Sequence, residues 1–234
     1  LKGLVIIPAF NEAGAILNTV RAIEKEAPSF DYIVINDCST DHTRQILEEN
    51  WLNHINLPIN SGIGAAVQTG YIYAKNNSYD CAVQMDGDGQ HDPKFLEKMM
   101  ETMERDQADM VIGSRFIENK GFQSSRARRM GINFFKRWIH TLTGQTITDA
   151  TSGMRLCDRA VINLFAKDYP RDYPEPETVV EVIKKGYKVE EIPVEMKART
   201  SGKSSININK SIYYMIKVTF ACFIQSFNKK EINT

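Results

Sequence analysis

Apolar residues fall along this chain in short unbroken runs that alternate with longer stretches of helical spacing. Leu4-Val5-Ile6-Ile7, ended by Pro8, has the continuous apolar character of a strand buried on both faces. Behind it Ile16, Leu17, Val20 and Ile23 recur at the helical period, with Asn11 upstream as the expected cap. Tyr32-Ile33-Val34-Ile35 predicts a second strand, and Ile46 and Leu47 lie in the helix after it. Ile55-Asn56-Leu57 reads as a short third strand, and Asn60 to Ala66 opens a helix running to Lys75. A strand through Cys81-Ala82-Val83 ends at Asp86, a helix follows from Pro93 to Arg105, and Met110-Val111-Ile112-Gly113 is the next strand. Further on, Val179, Val180, Val182 and Ile183 mark a helix, and Val189 to Val194 a strand. This rhythm predicts an α/β fold, a mostly parallel sheet with helices on both faces.

The polar residues gather where strands hand over to helices: Pro8 to Glu12, Asp37 to Asp41, Gly62 to Ala66 and Asp86 to Gln90. In open α/β sheets ligands bind outside the carboxyl ends of the strands, so all four clusters are expected to face one crevice. Asp86-Gly87-Asp88-Gly89-Gln90 is the most pointed of them. Asp is seldom buried unless it is paired or holds a metal. Two carboxylates and an amide carbonyl form a hard oxygen set suited to Mg²⁺ or Mn²⁺ against a substrate's phosphates. The same residues also fit a polar turn that caps the helix near Pro93. Gly62-Ile63-Gly64 lacks the patterns of a dinucleotide fingerprint or a P-loop, so a tight turn under a closely packed helix is expected there, with exposure of backbone N–H groups to a ligand as the alternative role. His91 is expected in an ordinary hydrogen-bonding role.

Composition narrows the function classes. At 234 residues the chain suits one large domain, or a domain with an extension. Its 29 basic and 29 acidic residues cancel, so no whole-chain field points to nucleic acid. Cys38, Cys81, Cys157 and Cys222 have no paired spacing for zinc or redox chemistry. The charge is uneven, however: Arg115, Lys120, Arg126, Arg128, Arg129, Lys136 and Arg137 stand against Glu118 alone between Arg115 and His140. The chain enters its first strand at once, without a signal-peptide pattern, which sets the expectation of a cytoplasmic protein.

In order and spacing, Val5 to Glu12, Asn36 to Asp41, Asn60 to Ala66, Asp86 to Gln90 and Gly113-Ser114-Arg115 resemble the family 2 glycosyltransferases of the GT-A (Rossmann-like) fold. Thr148 to Arg155 and Arg199 to Ser204 look like the branch of dolichyl- and polyprenyl-phosphate sugar synthases, and the resemblance spans residues 3 to 206. It implies that Pro8, Ala9, Asn11 and Glu12 border the nucleotide's base and ribose, with Asp37 reading the base edge and Asp86 beside the diphosphate. It also implies that Asp86, Asp88 and Gln90 hold Mg²⁺ or Mn²⁺ and that Asp86 and Asp88 are catalytic through that ion. Cys38 departs from a common glycine, and Ile63 from a lysine of some members, so no phosphate contact is carried over to that loop.

What accepts the sugar depends on the basic segments. A lipid phosphate is already anionic and needs cations to hold it, for which Arg115, Arg126, Arg129, Arg199 and Lys203 are candidates. Arg126, Arg128 and Arg129 also fit a solvated helix face. A sugar hydroxyl would instead need a general base, for which Asp149 is the candidate, with capping of the segment Thr151 to Arg155 as its competing role. The expected activity is therefore metal-dependent, inverting transfer from a nucleotide sugar, UDP-glucose or UDP-N-acetylglucosamine, to polyprenyl (undecaprenyl) phosphate. The alternatives are transfer to a saccharide hydroxyl in cell-envelope polysaccharide synthesis, and a non-catalytic nucleotide-sugar-binding subunit.

Residues 1–208 are expected to form the catalytic domain and 209–234 a C-terminal apolar, amphipathic helix. Ser211 to Phe227 carries Lys217 and Gln225, follows Lys210 and precedes Lys229-Lys230. No apolar run reaches the ~20 residues a membrane span requires. The segment fits a helix on the inner face of the cell membrane, one docking a small membrane protein, or one packed on its own domain.

Overall fold

The computed structural model describes residues 1–118, 126–172, 174–197 and 208–227, with the backbone alone at 126–128 and 208–214. Strands β1 (Gly3–Ala9), β2 (Phe30–Asn36), β3 (His54–Asn56), β4 (Cys81–Gln84), β5 (Met110–Ser114), β6 (Arg155–Asp158) and β7 (Val189–Pro193) form one sheet in the order β3-β2-β1-β4-β6-β5-β7. β3, β2, β1 and β4 run parallel, as do β5 and β7; β6 lies antiparallel between β4 and β5. The helices are α1 (Ile16–Glu26), α2 (Thr43–Glu49), α3 (Ile63–Asn76), α4 (Leu96–Asp106), α5 (Arg126–Thr143), α6 (Arg159–Lys167), α7 (Pro174–Lys184) and α8 (Ile208–Gln225). The expected α/β sheet with helices on both faces is present.

Alternation along each strand divides the interior in two. Leu4 and Ile6 of β1 join Tyr71 of α3, Phe165 of α6 and Val179 of α7 in one apolar cluster. Val5 and Ile7 face the other way, onto Ile16, Val20 and Ile23 of α1 and Met99 of α4. The central strands are therefore buried on both faces, which is why they read as unbroken apolar runs.

Three local details differ from the sequence reading. β1 continues through Pro8 to Ala9, still paired with β2. Its pairing with β4 stops at Ile6, so proline's missing N–H costs no ladder bond on that side. Asn11 does not cap α1, whose capping residue is Ala15; it sits in a left-handed turn at φ 57° and bonds to the neighbouring loop. β6, with Asp158 capping α6 through Val161 N–H at 2.8 Å, was not visible as a strand, because Arg155 interrupts its apolar character.

Tyr71, Phe165 and Tyr169 pack with ring centroids 5.1–5.6 Å apart, joining α3 to α6 and the loop after it. Phe165 is 1% exposed. Phe165→Ala should destabilise the fold by about 3–5 kcal/mol, and Phe165→Leu by much less, in urea unfolding.

Candidate active site

The β1–α1 and β2–α2 connections are bound to each other by polar side chains rather than by the sheet. Asn11 Oδ1 accepts the Thr40 N–H at 2.8 Å and the Asp41 N–H at 3.3 Å, while Asn11 N–H donates to Ser39 Oγ at 3.0 Å. Glu12 N–H donates to Thr43 Oγ1 at 2.9 Å, and the Glu12 carbonyl accepts from Ala15 and Ile16 at the start of α1. Pro8 and Ala9 are buried at the end of β1, and the Ala9 carbonyl accepts the Asp37 N–H at 2.9 Å. Asp37 is buried, and its carboxylate accepts from Ser61 N–H at 2.7 Å and Gly62 N–H at 2.9 Å. A base edge would have to use its remaining lone pairs. The four residues expected beside the nucleotide and Asp37 thus form one continuous wall.

The glycine loop that Asp37 holds is tightly packed. Gly64 N–H donates to the Arg171 carbonyl at 3.1 Å, and a Cβ on Gly64 would lie 2.1 Å from the Pro170 carbonyl oxygen. Its glycine is required by backbone contact, as the tight-turn reading expected.

Asp86 lies just past β4 and is half-buried. Gln84 Nε2 donates to Asp86 Oδ1 at 3.4 Å, and the Asp86 N–H donates to His91 Nδ1 at 3.2 Å. His91 therefore has the hydrogen-bonding role expected of it. Asp88 Oδ1 accepts the Gln90 N–H at 3.0 Å, and Thr19 Oγ1 of α1 donates to the Gly87 carbonyl at 3.2 Å. Gln90 is bonded through its main chain and its amide Nε2 to Lys197, at 2.9 and 3.3 Å. Asp92 caps the short 3₁₀ turn Pro93–Phe95 through Lys94 N–H, so capping falls to Asp92 rather than to Asp86 or Asp88. No group of three or more His, Cys, Asp or Glu side chains suited to a metal occurs among the described residues. The donor set at this turn is two carboxylates and an amide carbonyl, all oxygen, which fits a hard divalent cation that takes its other ligands from a diphosphate.

The opposite wall is built on a buried ion pair. Arg115 Nε and Nη2 donate to the two oxygens of Asp149 at 2.6 and 2.7 Å, and Arg115 N–H adds a third bond at 3.1 Å. Both side chains are buried, Asp149 fully. Arg115 Nη2 also reaches Thr151 Oγ1 at 2.9 Å. Glu191 of β7 accepts from Thr148 N–H and Asp149 N–H at 2.7 and 2.9 Å; burial pushes its carboxyl pKa up against the pull of those bonds. Ser152 Oγ donates to the Gly113 carbonyl at 2.7 Å. Arg155, 1% exposed, donates to the Ser152 and Ala150 carbonyls and to Thr178 Oγ1 of α7. These bonds carry the 149–155 loop to Asp86: a Cβ on Gly153 would lie 3.2 Å from Asp86 Oδ2.

Asp149, the candidate base, is thus engaged by Arg115, and Arg115, a candidate phosphate holder, is turned inward onto Asp149. Arg129 is exposed on α5. The Arg126 side chain, Arg199 and Lys203 lie outside the described residues. Sequence reasoning assigned nothing to Glu191, Ser152, Thr151 or Arg155. Glu191 and Arg155 had one available signal, a charge within a strand's apolar pattern. Glu175, in the first turn of α7, is half-buried. Burial raises its pKa against the pull of Arg155, and Asp86 adds to the rise.

The sequence model of Glycosyl transferase family 2 matches residues 4–165. Polyprenol monophosphomannose synthase of Mycolicibacterium smegmatis is 28% identical over 230 residues, covering 93% of this chain and 85% of that protein. Undecaprenyl-phosphate mannosyltransferase of Micrococcus luteus is 28% identical over 161 residues, 66% of this chain and 65% of that one. Among solved structures, glucosyl-3-phosphoglycerate synthase of Mycobacterium tuberculosis with Mn²⁺, UDP-glucose and phosphoglyceric acid superposes with a TM-score of 0.75 at 14% identity. The match covers 98% of this chain and 81% of that one. An α/β sheet with its polar loops at the strand ends, in this order, is the GT-A architecture. The chain belongs to glycosyl transferase family 2, and it is a glycosyltransferase.

Arg115→Met leaves a buried carboxylate unpaired and should cost about 3–5 kcal/mol in urea unfolding, most of it recovered in Arg115→Met/Asp149→Leu. Glu175 supplies a pH test. An acid whose folded pKa is raised stabilises the fold below its ordinary value and loses that contribution as pH rises through the raised one. Glu175→Gln should therefore gain stability relative to the parent at neutral pH but not in acid, as read by paired denaturation curves.

Proposed function

We propose that this glycosyltransferase moves one sugar from a nucleotide sugar to polyprenyl phosphate, with inversion at the anomeric carbon and dependence on Mg²⁺ or Mn²⁺. The observation that carries the reading is the Asp86-Gly87-Asp88 turn, placed between the Asp37 wall and the Gly153 loop. Asp86, Asp88 and the Gln90 carbonyl would hold the cation, which when bound neutralises the charge growing on the leaving nucleoside diphosphate. Pro8, Ala9, Asn11, Glu12 and Asp37 border the base and ribose, and their bonds to the β2–α2 loop hold that border in place before the donor arrives. The half-buried Asp86 is oriented by Gln84 and by the Gly153 backbone.

The acceptor assignment is supported by the engagement of the candidate base. A hydroxyl acceptor needs a base, and both oxygens of Asp149 face Arg115 and Thr151. A phosphate monoester is already an oxyanion and needs no proton removed. The names of the two relatives carry the same acceptor chemistry. In this reading Asp149 positions Arg115, while Arg126, Arg129, Arg199 and Lys203 supply positive charge toward the acceptor. Residues 1–208 do the chemistry at the inner face of the cell membrane. The helix beyond them brings the enzyme there, directly or through a small membrane protein.

UDP-glucose and UDP-N-acetylglucosamine are our favoured donors, although the two relatives are named for mannose. Labelled UDP-glucose, UDP-N-acetylglucosamine and GDP-mannose, each with Mn²⁺ and undecaprenyl phosphate, test donor and acceptor together. A lipid-linked product from a UDP-sugar is expected, lost on EDTA treatment. Asp86→Asn or Asp88→Asn should lower turnover by at least ~10²-fold and abolish the metal-dependent thermal shift with donor. Product from GDP-mannose alone would overturn the donor assignment, and no lipid product from any donor would overturn the acceptor.

A further inference from the structure

We infer that His91 is the positioning residue of the cation turn, holding the Asp86 main chain so that its carboxylate meets the metal in one direction. This rests on the cation role proposed for Asp86, Asp88 and Gln90 and extends it to a side chain outside that set. β4 pairs with β1 and β6 only as far as Gln84, and the Met85 N–H makes one last bond, to the Ile6 carbonyl at 3.0 Å. Asp86 is the first residue whose N–H has left the sheet. Backbone N–H groups inside a fold need a partner, and His91 Nδ1 supplies it at 3.2 Å. A main-chain N–H can only donate, so Nδ1 accepts and the proton of the neutral ring lies on Nε2. The bond closes a loop from Asp86 to His91 that contains all three candidate oxygen donors. Inside it Asp88 Oδ1 takes the Gln90 N–H at 3.0 Å, and Gly89 turns the chain at φ 74°.

His91 is itself fixed from two sides, and it is 5% exposed. Its backbone forms an antiparallel bridge with Met196, beside which Lys197 N–H donates to the Gln90 carbonyl at 2.9 Å. This extension of β7 is tied to the end of β5, where Val194 N–H donates to the Ser114 carbonyl at 2.9 Å. Met196 Sδ also accepts from Arg115 Nη1 at 3.6 Å, so the extension runs from the buried ion pair to the turn. From the other side, a Cβ on Gly153 would lie 3.4 Å from His91 Cε1 and 3.2 Å from Asp86 Oδ2. The Gly153 backbone thus closes over both the ring and the carboxylate.

A direct ligand is the other use of a histidine at such a turn. The Nδ1 lone pair is already taken by the Asp86 N–H, and a hard cation prefers oxygen. Holding Asp86 is the role left to the ring. A carboxylate fixed in its binding direction before the ion arrives gives up less freedom on binding.

Titration of the full chain with Mn²⁺ in the presence of UDP or GDP, followed by electron paramagnetic resonance, reads this without turnover. Asn places its Oδ1 where the histidine Nδ1 stands, whereas Phe keeps a ring without an acceptor. His91→Phe should weaken Mn²⁺ binding by about tenfold or more, and His91→Asn should restore most of it, both folded at the assay temperature. Gly153→Ala, whose methyl would press on Asp86 and the ring, should weaken binding by a smaller factor. It keeps the test open should His91→Phe not fold. In turnover His91→Phe should lower kcat by about tenfold or more and leave KM for the lipid acceptor unchanged. Parental Mn²⁺ affinity in both His91→Phe and Gly153→Ala, or equal losses in His91→Phe and His91→Asn, would overturn the assignment. No Mn²⁺ binding by the parent with either nucleotide would overturn the cation reading and this role with it. Mn²⁺ binding that depends on His91, without any lipid-linked product, would count against the proposed function and leave this role standing.

Discussion

Arg115 and Asp149 meet where little water reaches either, so each supplies the countercharge and hydrogen bonds that burial takes from the other. The pair joins the end of β5 to the connection that precedes β6. Around it Glu191 gathers the Thr148 and Asp149 amides, and Ser152 reaches the Gly113 carbonyl. Gly153 then comes to rest against the Asp86 carboxylate. The loop against the candidate metal turn is thus tied to a pair of charges two strands away across the sheet. Such a pair contributes more to a defined geometry than to net stability, since its desolvation cost offsets much of its attraction.

The two sides of the crevice are held by different means. On the Asp37 side, short polar residues bond to backbone N–H groups of neighbouring loops, as Asn11, Asp37 and Asp41 do. On the other side long charged side chains are buried against carbonyls and each other, with Arg155 tying the loop to α7. Rigid walls of both kinds suit a site whose work is to place a sugar carbon between leaving group and attacking oxygen.

The parallel half of the sheet was legible because strands buried on both faces must be apolar through their centres, as Leu4 to Ile7, Ile33 to Ile35 and Cys81 to Val83 are. β6 was not, because its first residue is a buried arginine and its antiparallel placement is a matter of sheet order. The polar clusters were legible as a set at strand ends. Their partners were not: Asn11 could equally have capped a helix, and only the approach of Thr40 and Asp41 shows that it bridges two loops. Asp149 reads alike in sequence as base, cap or ion-pair partner, since Arg115 stands 34 residues away.

The amino-acid sequence alone determined the α/β class, the order of its elements through β5, and the kinds of side chain gathered at the strand ends. Periodicity and residue chemistry are local properties and need no third dimension. Tertiary structure decided which of those side chains face one another. Burial set the candidate base Asp149 against Arg115, and packing brought Phe134 of α5 and Met215 and Phe220 of α8 to one groove. Both outcomes depend on contacts between residues distant in the chain, where a charge's role is set by what replaces its water.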